Sequence, residues 1–139
     1  MSKKVKMKDK KVQKKPYENP EVPKEWLYMA PEGVKLCKVY EGIRECGEWE
    51  AEYWKEAEVL EIGIPEAGSV DLEEMDAELG DEALFSYMRE KNIAKVYLVT
   101  IRPEYWERAR GVMQYIAERM GGFFCGDTKD FQPEVGREG

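Results

Sequence analysis

Residues Lys95–Ile101, KVYLVTI, decide how the fold is read. After its first residue the stretch is apolar on both faces, the pattern of a central strand covered on both sides. Such a strand needs helices above and below it. Toward the C-terminus, Pro103 suits a first helical turn, and Trp106, Ala109, Met113, Ile116 and Met120 recur at spacings of three and four along one stripe. Gly121 and Gly122 end that helix. The segment Gly122–Gly126, GFFCG, then reads as a short last strand, and residues 133–139 read as a flexible tail.

Toward the N-terminus, Ser69 is placed as a helix cap with Asp71, Glu73 and Glu74 in the first turn, where carboxylates oppose the positive end of the helix dipole. Leu72, Met75 and Leu79 mark its buried face. Gly80 and Asp81 interrupt and restart the helix, which continues through Leu84, Phe85, Tyr87 and Met88 to about Asn92. Ala57–Ile64, AEVLEIGI, alternates as a strand, with Leu60, Ile62 and Ile64 pointing one way. Trp49, Ala51 and Tyr53 alternate with Glu50 and Glu52 and favour a strand over the helical spacing they also fit. Val34–Tyr40, VKLCKVY, reads as the first strand, with Trp26–Met29 between prolines pinning the preceding segment onto the body.

The expectation is therefore a single small α/β or α+β domain over residues 21–132. It has a mixed sheet of about four strands in the order β-β-α-β-α-β, with helices packed on the sheet. Crossover connections predict parallel pairing among the last three strands, and the first strand is expected antiparallel at an edge.

Charge divides the chain. Eight of its 22 Lys and Arg residues lie in the first fifteen positions against one acid, Asp9, so that segment carries +7. The remaining 124 residues hold 14 basic and 28 acidic side chains. Self-repulsion and the lack of core-forming groups predict a disordered lysine-rich arm over residues 1–20. The acids of the body concentrate in Glu41–Glu61 and Asp71–Glu90.

Histidine is absent, which removes the usual general base at neutral pH, the imidazole metal ligands and every triad that needs an imidazole. Cys37, Cys46 and Cys125 lack CxxC spacing and suggest neither a disulfide framework nor a zinc site. Acidic neighbours of Cys125 oppose a thiolate nucleophile. No apolar run approaches the length of a membrane span and no secretory signal is visible, so the expected location is the cytoplasm.

In open α/β sheets, ligands bind beyond the carboxyl ends of parallel strands. On that topology three loops meet, which brings Glu66, Ser69, Thr100, Arg102, Asp127, Thr128 and Asp130 together as ligand-binding candidates. Glu66, Asp127 and Asp130 offer oxygen ligands suited to Mg²⁺, and Arg102 offers a partner for a phosphate. A small Mg-dependent enzyme acting on a phosphate-bearing substrate is one functional expectation. A second is nucleic-acid tethering through the lysine arm alone, by counterion release. The expectation placed first is non-catalytic: an acidic interaction or regulatory module that docks a basic protein, as an inhibitor or immunity protein would. Its partner-binding candidates are Glu73, Glu74, Asp76, Glu78, Asp81 and Glu82. No cofactor is required for that role.

Overall fold

The computed structural model describes residues 22–75 and 80–136. The lysine arm expected at residues 1–20 lies outside them. The described chain runs β1 (Glu25–Ala30), α1 (Leu36–Cys46), β2 (Glu50–Trp54), β3 (Val59–Gly63), β4 (Ser69–Glu74), α2 (Glu82–Lys91) and β5 (Lys95–Thr100). A 3-10 turn at Pro103–Tyr105, α3 (Trp106–Met120), β6 (Phe123–Gly126) and β7 (Glu134–Val135) complete it. The strands form one sheet in the order β2-β3-β4-β5-β1-β6-β7, and every neighbouring pair is antiparallel. The result is a small α+β domain.

Five sequence expectations are corrected. The parallel core of about four strands is a seven-stranded antiparallel sheet. β5 and β6 do run in the same direction with α3 crossing between them, but β1 is inserted between the two and pairs with both. Trp26–Met29 is therefore a central strand rather than a pinned lead-in. It carries the same signature as β5, with every residue from Trp26 to Ala30 buried, and the surrounding prolines mask it.

The expected strand at Val34–Tyr40 is helix α1. Leu36, Val39 and Ile43 line its buried side at helical spacing. Within seven residues that spacing overlaps strand alternation, and the deciding residue, Ile43, lies outside the window. Gly47 closes the helix in the left-handed region at φ 76°.

The expected helix from Ser69 begins instead as strand β4. Val70 and Leu72 are buried while Asp71 and Glu73 face outward, a period of two. The acids in its supposed first turn are the outer face of a hairpin strand. Only from Asp81 onward is the helical reading met: the Asp81 carboxylate accepts from the Leu84 N–H at 2.9 Å, and Asn92 ends α2 in the left-handed region. At the far end, Glu134 and Val135, in the stretch read as tail, pair with β6.

One face of the sheet is covered by α1 and α3 and holds the main core. Leu60, Ile62, Val70, Leu72, Tyr97, Val99 and Phe124 meet Val39, Ile43, Val112, Met113 and Ile116 there. Aromatic rings organise it: Trp26 stacks on Trp106 with centroids 5.1 Å apart, and Tyr28 on Phe124 at 4.5 Å. The polar tips are satisfied, with Trp26 Nε1 donating to the Pro23 carbonyl and the Tyr28 hydroxyl to that of Gly121, both at 2.7 Å. Gly42 lets α1 approach α3, since a Cβ there would come within 2.7 Å of Met120 Cε.

Among the described residues the other face is only half covered. Leu27, Met29, Val96, Phe123 and Cys125 pack beneath Leu84 of α2, joined by Tyr87 and Met88. β2, β3 and β4 do not contribute to that cluster apart from Met75 just beyond β4.

Candidate binding face

Chain direction places the ends of β3, β5 and β6 at one end of the sheet, but β4 and β1 lie between them and run the opposite way. The loops that follow are therefore spread along an edge. Four strand spacings separate β3 from β6, about 19 Å at ~4.8 Å per strand. Glu66, at φ 64° in the β3–β4 turn, and Asp127 stand at the two extremes. Arg102 lies against Gly68, where a Cβ would meet its Cγ at 2.7 Å. Its guanidinium is held by Glu104 at 3.0 Å and lies over the Tyr105 ring rather than reaching a carboxylate from another loop. Thr128 accepts from the Gln132 N–H at 3.1 Å and donates to the Gln132 carbonyl at 3.0 Å, with Asp130 Oδ1 at 3.1 Å. That is a local turn. Among the described residues no group of three or more Cys, Asp or Glu side chains is placed to hold a metal ion.

Asp127 lines a groove of about 340 Å³ beside the N-terminus of α2, with Leu27, Leu84, Leu98, Asp81 and Phe131. Burial raises its carboxyl pKa, and the charges of Glu25 and Asp81 add to the shift. Cys125 is fully buried, and burial with Glu134 and Asp127 pushes its thiol up to about 12. It stays protonated and is no nucleophile.

The uncovered half of the sheet has a different construction. Register places Glu52 opposite Glu61, Glu61 opposite Asp71, Asp71 opposite Thr100 and Thr100 opposite Glu25. These side chains form one row across five strands, four carboxylates with a hydroxyl among them. Directly opposed residues on one face stand about 4.5–5.5 Å apart at Cβ, and like charges there oppose folding. No described lysine or arginine pairs with the row. The ion pairs elsewhere engage Glu45, Glu74, Glu82 and Glu104. Within the row, burial raises the Asp71 carboxyl pKa against a lowering by the Ser69 hydroxyl, and its Oδ1 has no hydrogen-bond partner.

A second row runs parallel to the first. Trp54 faces Val59 and Val59 faces Glu73. Trp54 is 47% exposed, the most exposed large hydrophobic side chain among the described residues, and an indole left in water beside acids invites a cation. Between the rows lies a hollow of about 360 Å³ lined by Trp54, Val59, Glu61, Asp71, Glu73 and Thr100. A second, shallower one of about 720 Å³ wraps the start of β2 beside Glu50 and Glu52.

Of the partner-binding candidates, Glu73 belongs to this face. Glu74 pairs with Lys95, Asp81 caps α2, and Glu82 pairs with Arg89 at 3.1 Å. Asp76 and Glu78 lie outside the described residues. The carboxylates that sequence reasoning did not single out are Glu25, Glu50, Glu52, Glu61 and Asp71. Their signal was present as alternation: Glu50 and Glu52 alternate with Ala51 and Tyr53, and Asp71 and Glu73 with Val70 and Leu72.

Comparison of the chain with known protein families, with curated proteins and with solved structures finds no match. Among the described residues no helix is long and apolar enough to cross a membrane.

Proposed function

We propose that the open half of the sheet is a docking surface for a basic protein segment, and that the protein acts by binding rather than by catalysis. The observation that carries this is the row Glu52, Glu61 and Asp71, three carboxylates directly opposed on neighbouring strands with no cation from the described chain between them. Such a row costs the free fold stability. A partner bearing Lys or Arg removes that repulsion as it binds, so the same charges that oppose folding favour association and speed it. Trp54 and Val59 receive the aliphatic stems of the basic side chains. An inhibitor-like role toward a cationic protein surface fits this chemistry.

The test uses the full chain and an oligolysine peptide, with binding read by tryptophan fluorescence and calorimetry. Saturable binding that weakens as salt shortens the Debye length is expected. The charge-reversed pair Glu52→Lys with Glu61→Lys should weaken it by at least about tenfold, ~1.4 kcal/mol. Unchanged affinity in that variant overturns the proposal.

A further inference from the structure

We infer that the basic partner docks as an added strand, antiparallel to β2 along the outer edge of the sheet, and is recognised by lysine or arginine alternating with apolar residues. The inference rests on the reading of the open half as a dock for a basic segment, and adds how that segment is held and which sequence it carries.

β2 ends the sheet order, and its five residues pair with β3 without a bulge. The opposite edge is β7, only two residues long. Two bonds in the neighbouring hairpin fix which backbone groups of β2 face outward. Ile64 N–H donates to the Gly68 carbonyl, and Glu74 N–H to that of Glu58. Bonding direction alternates along an antiparallel strand, so Leu60 and Ile62 bond β4, while Val59, Glu61 and Gly63 bond β2. Their register partners are Trp54, Glu52 and Glu50. Ala51 and Tyr53 are left with N–H and C=O directed away from the sheet, and no backbone group among the described residues bonds them. Such a row of unpaired groups is a template for another strand.

The two faces of β2 set the sequence of the occupant. Glu50, Glu52 and Trp54 lie on the open face, and Ala51 and Tyr53 on the core face. Ala51 and Tyr53 are only half-buried, and Tyr40 of α1, which lies against Tyr53 with centroids 5.8 Å apart, is half-buried too. An added antiparallel strand sets apolar side chains opposite Ala51 and Tyr53, in the hydrogen-bonded pairs, and covers this rim. Its basic side chains fall opposite Glu50, Glu52 and Trp54, in the non-hydrogen-bonded pairs where side chains come closest. The cation opposite Glu52 continues the row of Glu52, Glu61 and Asp71 with opposite charge, and the one opposite Trp54 reaches its exposed indole. A shift by one residue would turn the cations onto the apolar rim, so the alternation fixes the register.

A second copy of β2 fits this edge poorly. The symmetric antiparallel registers that keep most of the strand paired are centred on Ala51 or Glu52, and both oppose glutamate to glutamate. The same side chains turn away copies of this chain and admit a strand of opposite charge.

The test uses the full chain and the capped peptide Lys-Val-Lys-Val-Lys, unmodified and in two N-methylated forms. Methylating both valines removes the N–H groups that reach the Ala51 and Tyr53 carbonyls. Methylating the last two lysines instead leaves charge and composition the same but alters N–H groups that point to solvent. In tryptophan fluorescence titrations the valine-methylated peptide should bind at least about tenfold more weakly than the lysine-methylated one. On binding of the unmodified peptide, amide exchange should slow far more at Ala51 and Tyr53 than at Glu50 and Glu52, whose amides already bond β3. Equal affinities of the two methylated peptides overturn strand addition. Docking on the face then still stands if Glu52→Lys with Glu61→Lys weakens binding of the unmodified peptide. Greater sensitivity to methylation at lysine is the pattern of a parallel strand and overturns the antiparallel assignment. Absence of binding by the unmodified peptide removes strand addition and the docking role together.

Discussion

Two halves of one sheet face are built on the same period and end differently. Under α2, the outward positions of β1, β5 and β6 are Leu27, Met29, Val96, Leu98, Phe123 and Cys125. On β2, β3 and β4 the corresponding positions are Glu50, Glu52, Trp54, Val59, Glu61, Asp71 and Glu73. The boundary is sharp, since Thr100 at the end of β5 sits in register with Asp71 on one side and Glu25 on the other. One helix accounts for the division: with a diameter of about 10–12 Å, α2 spans little more than two strand spacings, against about 29 Å across seven strands. What the helix covers became core, and what it leaves became a charged surface. Alternation in a strand therefore reports two faces, and the helix inventory reports which of them is buried.

The sharpest way to break the comparison is to delete matched apolar groups on either side of the boundary. Met29→Ala, fully buried beneath α2, should cost about 2–5 kcal/mol in chemical denaturation. Val59→Ala, on the open half and only partly buried, should cost under about 1 kcal/mol. Similar losses at both positions would mean that the open half is covered as well. Next in size is the attachment of the cover. Asp81→Ala removes the side-chain cap from the Leu84 N–H and should cost about 1 kcal/mol. Exchange of α2 amides should rise, with β2 amides unaffected.

How much of this division the sequence carried depends on the residue. β5 was legible because both its faces are covered, and α3 because its stripe from Trp106 to Met120 is long enough to leave one periodicity standing. β1 has the same doubly covered pattern as β5, but the flanking Pro20, Pro23 and Pro31 outweighed it. β4 failed for the reason that makes the open face unusual. Acids behind a serine commonly mark a helix start, and only the register with β3 shows Asp71 and Glu73 to be outward strand positions. The same error hid the candidate site. Asp71 was assigned to the first turn of a helix, whereas the sheet lines it up with Glu61 and Glu52 across adjacent strands. The insertion of β1 between β5 and β6 has no local signal, because it depends on contacts more than 60 residues apart in the chain.

Removing one charge from the row sharpens the comparison in the opposite direction. Glu61 faces Glu52 on one side and Asp71 on the other. Glu61→Gln should therefore raise stability by about 0.2–1 kcal/mol at low ionic strength, an effect that shrinks as salt is added. The same change should weaken oligolysine binding. A variant that is more stable and binds less well marks the row as placed for association; loss of stability would mean that Glu61 has a supporting contact in the folded chain.

The smallest expected effect concerns Asp71 and shows itself as a dependence on pH. Its carboxyl pKa is raised in the folded protein by burial, with the Ser69 hydroxyl opposing. Between the unfolded and folded pKa values the native state holds more protons than the unfolded one, so this residue's contribution to stability falls as pH rises through that window. It favours folding in acid and opposes it at neutral pH. Asp71→Asn keeps the shape and removes the titration, so the melting temperature of the variant relative to wild type should be higher at neutral pH than in acid. A bound lysine reverses the shift, because a neighbouring cation favours the ionised carboxylate. Oligolysine binding in mildly acidic solution should accordingly release protons from the wild type, read as a buffer-dependent calorimetric enthalpy, and release fewer from Asp71→Asn. Equal proton release by both proteins would place the bound lysines away from the Asp71 position, toward the Trp54 row.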